Sequence, residues 1–291
     1  MSDPKVSVII PSYNHSQFIL ETLESVLSQT FKDFECIIID DGSTDNTKDI
    51  VLDWIRIDER FRYYFQENAG LSSARNKGIS LSIGQYILPL DSDDKISDNY
   101  LEKCFLTLNS NSRVKIAYGE AFFFGNSNKK WNLDIYNFDD LLYKNMIYCT
   151  GLFRKEDWKY VGGYDENLKS GLEDWEFWIH ILKKGGEVVK IVDCFFYYRL
   201  KENSMIIDSV INNSYGYNSR LYVFEKHIDV YRKTNFYDMY FENYRLKKTI
   251  ANPLSTFTVK KLFLLLIKAI IKELLLLKKR MFLKTTNFFK Q

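Results

Sequence analysis

An α/β fold, with a mostly parallel central sheet flanked by helices and a helical C-terminal extension, is predicted by two features of this 291-residue sequence. Short, near-continuous apolar runs alternate with stretches whose apolar residues recur at helical spacing, the pattern of strands buried on both faces and their covering helices. Polar or acidic clusters fall where each run gives way to the next helix, at the carboxyl ends where open parallel sheets bind ligands. Composition agrees, since 46% hydrophobic and 27% charged residues describe a chain that buries a core.

The elements follow in order. Val6 to Ile10 is a β-branched run broken by Ser12-Tyr13-Asn14, after which Phe18, Ile19, Leu23, Val26 and Leu27 resume at helical spacing. Cys36 to Ile39 leads through Asp40-Asp41-Gly42-Ser43 into a helix over Thr47 to Ile57. Tyr63 to Phe65 leads through Asn68-Ala69-Gly70 into a helix over Ser73 to Ser82, and Tyr86 to Leu90 makes a fourth strand with a helix after Ser97. Val114 to Tyr118 is a fifth, followed by an aromatic, less regular stretch and a helix from Trp175 to Lys184. Residues 188–199 read as one or two short strands and 206–250 as helices. No glycine-rich dinucleotide loop or P-loop is present, so a nucleotide must be held by other means.

The cysteines (Cys36, Cys104, Cys149, Cys194) are far apart and never form a CxxC pair. With no N-terminal leader visible, a cytosolic chain with reduced thiols is expected. The formal charge of +2 hides an asymmetry: residues 258–291 carry eight Lys and Arg280 against Glu273, a net +8, which leaves −6 on the rest. Lys261, Lys268, Lys272 and Lys279 fall on one stripe of a helix read from Thr258 to Leu283, and its uncharged runs are far shorter than the ~20 residues that cross a bilayer. A basic amphipathic helix lying on the inner leaflet is one reading; a helix packing on the protein or on a second copy, giving a homo-oligomer, is the other. Nucleic acid is not expected, because base-reading residues are not interleaved with the charges and the body is acidic.

Asp91-Ser92-Asp93-Asp94 puts three carboxylates at the end of the fourth strand. Such a cluster can cap the following helix as a solvated turn. It can also bind a divalent cation, which removes the mutual repulsion and leaves coordination positions for phosphate oxygens. Two further acidic clusters at strand or loop ends, Asp40-Asp41 and Glu173-Asp174, favour the second reading.

Taken in order, Val6-Ser7-Val8-Ile9-Ile10-Pro11-Ser12-Tyr13-Asn14, Asp40-Asp41-Gly42-Ser43-Thr44-Asp45, Gly70-Leu71-Ser72-Ser73-Ala74-Arg75-Asn76, the Asp91 cluster and Glu173-Asp174-Trp175 resemble the family 2 inverting glycosyltransferases of GT-A fold. The resemblance covers about residues 5–205 and implies a catalytic domain over 1–205; the patterns beyond it give a helical extension over 206–257 and the basic amphipathic helix, read as membrane-associating, over 258–291. It implies that Pro11 and Tyr13 pack the nucleotide base, that Asp41 accepts a hydrogen bond from it, as suits uracil or thymine N3–H, and that the fork of Arg75 leans toward the phosphates. Asp91 and Ser92 fall where the family contacts ribose, and Asp93, with Asp94, where it ligates Mn²⁺ or Mg²⁺. Asp174 matches the catalytic base, with Glu173 beside it. Arg199 and Lys201 stand in place of a histidine in a mobile loop that closes on the diphosphate. His15, His180 and His227 show no metal-ligand spacing and are assigned no chemistry.

The implied reaction is single displacement from a nucleotide-diphosphate sugar, UDP by preference, onto an acceptor hydroxyl, with inversion. The implied acceptor is a lipid-linked oligosaccharide of a cell-surface polysaccharide, reached from the cytoplasmic face of the membrane. A non-catalytic sugar-nucleotide or glycan-binding subunit is the alternative, opposed by retention of both Asp93 and Asp174. A nucleotidyltransferase is opposed by the lack of a glycine- and lysine-rich loop over Pro11 to Gln17.

Overall fold

A computed structural model describes residues 3–169, 171–201 and 213–234. Chain contacts divide it into two units, Met1–Tyr231 and Arg232–Gln291; the second lies almost wholly outside the described residues, as do 206–212 and 235–250 of the helices read above and the helix read over 258–283.

Within the first unit, four strands and four helices alternate: β1 (Val6–Ser12), α1 (Ile19–Leu27), β2 (Phe34–Asp41), α2 (Thr47–Trp54), β3 (Phe61–Gln66), α3 (Leu71–Leu81), β4 (Tyr86–Pro89) and, after the two-residue β5 (Lys95–Ile96), α4 (Tyr100–Ser110). There follow β6 (Val114–Gly125), β7 (Lys130–Trp131), α5 (Phe138–Leu141), β8 (Leu152–Arg154), α6 (Lys155–Val161), α7 (Glu173–Leu182) and β9 (Glu187–Leu200). Helices α8 (Asn213–Lys226) and α9 (Ile228–Tyr231) come last.

Nine strands of the described residues make one sheet in the order β3-β2-β1-β4-β8-β6-β9-β5, with β7 on β6. β1, β2, β3 and β4 are mutually parallel, so their carboxyl ends, and the polar clusters that follow them, share one edge. β1 and β2 are buried along their whole length, which is why they read as unbroken apolar runs. Pro11 is buried inside β1 opposite Ile39, beyond the last β4 partner at Ile9. Its missing N–H therefore removes no bond from that side of the ladder. Helix α3 lies against β1 closely enough that a Cβ on Gly78 would come 2.5 Å from Ile9 Cγ2.

The second half is mixed. β8 is antiparallel to both β4 and β6, while β9 runs parallel to β6. β9 is one 14-residue strand, not two short ones, and it carries a bulge where Asp193 takes φ 54° and the register to β6 shifts at Gly119/Glu120. Beyond the bulge, β9 pairs antiparallel with β5, Tyr197 opposite Lys95 and Phe196 opposite Ile96. That pairing carries its far end to the Asp91–Asp94 turn. Arg199 thus belongs to a strand, not to the mobile loop expected for it. The first unit extends past residue 205, because α8 and α9 pack on it: Tyr222 Oη donates to Asp165 at 2.8 Å and Tyr231 Oη to the Leu142 carbonyl at 2.8 Å. Among the described residues no helix is long and apolar enough to cross a membrane.

Candidate functional site

The shared strand edge gathers most of the predicted residues. Tyr13, just past β1, is 49% exposed, so its ring is available rather than part of the core. Asp41 ends β2 and its carboxylate accepts from Gln66 Nε2 (2.6 Å) and from the backbone N–H groups of Ala69 (2.9 Å) and Gly70 (2.9 Å). It thereby fixes the turn into α3, where Gly70 has φ 96°. Neighbouring Asp40 accepts from Tyr63 Oη (2.7 Å) and the Ser43 N–H (2.8 Å). Both acids hold loops, and Asp41 retains lone pairs beyond its three donors.

Arg75 is the centre of the site. It is 1% exposed, and its terminal nitrogens donate to Glu173 Oε1 at 2.7 Å and to Asp91 Oδ1 at 2.6 Å. The guanidinium also stands 5.5 Å from the Tyr164 ring centroid. The fork expected to lean on phosphates is occupied by two carboxylates, which a planar, two-pronged donor set joins better than a point charge would. Asn76, the next residue, bonds the glycine-rich loop before α7: its Oδ1 accepts from Trp158 Nε1 (3.0 Å) and the Tyr164 N–H (2.8 Å), and its Nδ2 donates to the Tyr164 carbonyl (2.9 Å). The approach is close enough that a Cβ on Gly163 would come 2.7 Å from Asn76 Oδ1.

Helix α7 starts abruptly. Gly171 has φ 92° and Leu172 φ 71°, a left-handed conformation that costs a residue with a Cβ on the order of 1 kcal/mol. The turn presents Glu173 and Asp174 in the first turn of the helix. Glu173 is taken by Arg75, so it is not a spare base. Asp174 accepts instead from Asn145 Nδ2 at 2.8 Å and from the Trp175 N–H at 2.7 Å. Burial, reinforced by the charge of Glu173, pushes Asp174 up to about 7 against the pull of Arg75. A carboxylate near neutrality can both take and release a proton.

The Asp91–Asp94 turn closes with the Asp94 N–H on the Asp91 carbonyl at 3.0 Å. Asp94 is buried, one oxygen accepting from the Arg199 N–H at 2.8 Å, the other without a partner among the described residues. Burial, with Asp93 and Asp91 beside it, pushes its proton affinity well up. Ligand atoms of Asp91, Asp94 and Cys149 all lie within 4.8 Å of one another. Two carboxylates, one with an unpartnered oxygen, fit a divalent cation. Of the expected Asp93–Asp94 pair, Asp94 is in this group and Asp93 is not: Lys201 Nζ holds Asp93 Oδ2 at 2.6 Å, because the turn directs that side chain toward the end of β9. Lys201 Nζ also lies 3.2 Å from His15 Nε2, whose Nδ1 is 2.6 Å from Ser92 Oγ. Arg199 turns away from the cleft, its Nε on the Asp93 carbonyl (2.8 Å) and its Nη2 on Glu21 (2.8 Å).

Sequence reasoning did not single out Cys149, Asn145 and Tyr164, all from the irregular stretch before α7, and it assigned no chemistry to His15, which the structure sets between Ser92 and Lys201. Only the position of His15 three residues past β1 hinted at its place.

Residues 7–167 match the family model described as Glycosyl transferase family 2. The chain is 36% identical over 208 residues to TuaG of Bacillus subtilis, a glycosyltransferase named for teichuronic acid biosynthesis; the match covers 69% of this chain and 81% of TuaG. It is 27% identical over 259 residues to the glycosyltransferase GlyA of Streptococcus pneumoniae, covering 79% of this chain but only 37% of GlyA. In fold it is similar to residues 1–349 of S. aureus TarS, solved with UDP (TM-score 0.59, 22% identity, 68% of this chain and 61% of that one). It is similar also to the mannosyltransferase PcManGT of Pyrobaculum calidifontis, solved with GDP-Man and Mn²⁺ (TM-score 0.60, 16% identity, 93% and 81%). The matched residues take in the parallel β1–β4 edge and the acidic turn after β4, and the chain belongs to glycosyltransferase family 2, with a GT-A-type fold.

Proposed function

We propose that this protein transfers a sugar from a nucleotide diphosphate, UDP by preference, to a hydroxyl of a glycan acceptor, with inversion at the anomeric carbon. The observation that carries the reading is Asp174, half-buried with a proton affinity near neutrality and next to Glu173, which Arg75 ties to Asp91 at the nucleotide edge. A base must face an acceptor on one side and the donor's sugar on the other; the Arg75 bridge keeps the two carboxylate groups in register for that.

Asp174 accepts the proton of the acceptor hydroxyl as that oxygen attacks. Asn145 holds one carboxylate oxygen and so orients the other. Tyr13 covers one face of the base, beside Pro11, while Asp41 accepts from its N3–H; Asp91 and Ser92 receive the ribose. Asp91 and Asp94, joined by Asp93 when Lys201 withdraws, would hold Mn²⁺ or Mg²⁺. When bound, the cation offsets negative charge on the departing diphosphate. Lys201, just past β9, adds positive charge beside the same oxygens, while Arg199 supports the turn through the Asp93 carbonyl and the Asp94 carboxylate.

Supports for this reading are the UDP in the TarS crystal structure and the Mn²⁺ with GDP-Man in PcManGT. TuaG's name favours a cell-surface polysaccharide, hence a lipid-linked acceptor at the cytoplasmic face of the membrane. The basic residues of 258–291 would place the enzyme on that surface and raise the effective concentration of acceptor. The test is a panel of UDP-, dTDP- and GDP-sugars assayed for nucleoside diphosphate release with and without Mn²⁺. Metal-stimulated release with a UDP-sugar, absent in Asp174→Asn when acceptor is supplied, is the expected result. Release of inorganic diphosphate instead would refute it. Sedimentation with anionic liposomes, with and without 258–291, tests the membrane; equal pelleting of both forms would refute that part.

A further inference from the structure

Helix α7 carries a second group of ligating side chains just beyond Asp174. Glu176 and His180 are four residues apart and share a helix face, and the turn after α8 sets His227 against them. Ligand atoms of the three all lie within 4.8 Å of one another. Glu176 and His227 are fully buried. His227 Nε2 meets Glu176 Oε1 at 2.6 Å, and Lys226 Nζ reaches the same oxygen at 2.9 Å while Asp165 holds that lysine at 2.6 Å.

All of the pairing is thus at one corner of the carboxylate. Glu176 Oε2, His180 Nδ1 and His227 Nδ1 are buried without a hydrogen-bond partner among the described residues. One such atom is common; three in one cluster are not, since an unmet buried polar atom costs ~1–3 kcal/mol.

We propose that Glu176, His180 and His227 form a site for a divalent transition metal of the zinc type, completed by water, which ties α8 and α9 to the helix bearing Asp174. Two imidazoles and a carboxylate suit zinc, whereas the oxygen donors of Asp91 and Asp94 suit Mg²⁺ or Mn²⁺. Occupancy would fix the helix two residues past the proton acceptor, a structural duty separate from the transfer chemistry.

The test uses the full chain, loaded with zinc chloride, desalted and assayed for bound metal, with cobalt chloride as a spectroscopic probe. Expected are stoichiometric retention of zinc, the visible absorption of low-coordinate cobalt and a zinc-dependent rise in the thermal midpoint. His180→Asn and His227→Asn should each weaken retention ~10-fold or more, with Asp94→Asn retaining zinc as wild type does. Should His227→Asn fail to fold, His180→Asn decides, because that side chain is 22% exposed and its loss leaves the Glu176–His227 contact in place. No retained zinc in the wild type, full retention in His180→Asn, or loss in Asp94→Asn would each overturn the proposal.

Discussion

Arg75 and Glu173 form a buried ion pair at 2.7 Å across 98 positions of sequence, α3 supplying the cation and the first turn of α7 the anion. The same guanidinium holds Asp91, so two acids that would otherwise repel are spaced by one planar cation. Removing it leaves the buried Glu173 and the half-buried Asp91 uncompensated. Arg75→Met is expected to cost ~3–5 kcal/mol of stability, read by urea denaturation. Arg75→Lys restores the charge but not the two-pronged reach, so it should recover part of the stability and little of the donor affinity measured by calorimetry.

Asp174→Asn keeps the shape of the side chain, retains one of the two hydrogen bonds it accepts from Asn145 and Trp175, and removes the proton acceptor. Transfer should fall by ~10²–10⁴ with nucleotide binding close to wild type. Because the carboxylate is poised at about 7, the wild-type rate should decline as pH drops below neutrality. Rates of the Asn variant should be flat over the same interval. Wild-type turnover in this variant would sink the role given to Asp174.

Stability should show the same group from the other side. The folded-state proton affinity of Asp174 lies above its ordinary value of 3.8, so the neutral form favours the fold. That contribution is complete below pH ~4 and is lost as pH rises through about 7. Asp174→Asn should therefore gain stability over wild type between pH 5 and 8, at about 2–4 °C per kcal/mol, in paired thermal melts. A gap between the two proteins that does not widen with pH would contradict the raised value.

Lys201 occupies the carboxylate of Asp93 at 2.6 Å. An ammonium and a divalent cation compete for that oxygen, so Lys201→Met should tighten Mn²⁺ binding to the donor-free protein by roughly tenfold, about 1.4 kcal/mol. The same change should weaken UDP binding, since one positive charge near the diphosphate is gone. Mn²⁺ titration by electron paramagnetic resonance gives the first quantity and calorimetry the second. Unchanged metal affinity would mean that the lysine does not guard the site.

The first half of the fold was legible because each strand there is buried on both faces and each is followed by a helix long enough to show its period. β8 was not, since three residues are too few to carry a pattern. β9 read as up to two strands because a bulge at Asp193 interrupts its alternation without ending it. Asp41, Asp91, Asp94 and Asp174 announced themselves through clustering of like charge, which folded proteins tolerate only with a purpose. Asn145 and Cys149 had no such mark: one amide and one thiol in an irregular segment look like any others. Nor did His227, whose partner Glu176 lies 51 positions away.

The contact between Asn145 and Asp174 ties two properties that are often discussed apart. Asn145 comes from the irregular stretch between β7 and β8, and under the proposed function it stands beside the hydroxyl that receives the sugar. Grafting that stretch from a relative to alter the recipient would therefore also reset the basicity of the residue that activates it. Selectivity and speed in this enzyme are to be engineered jointly.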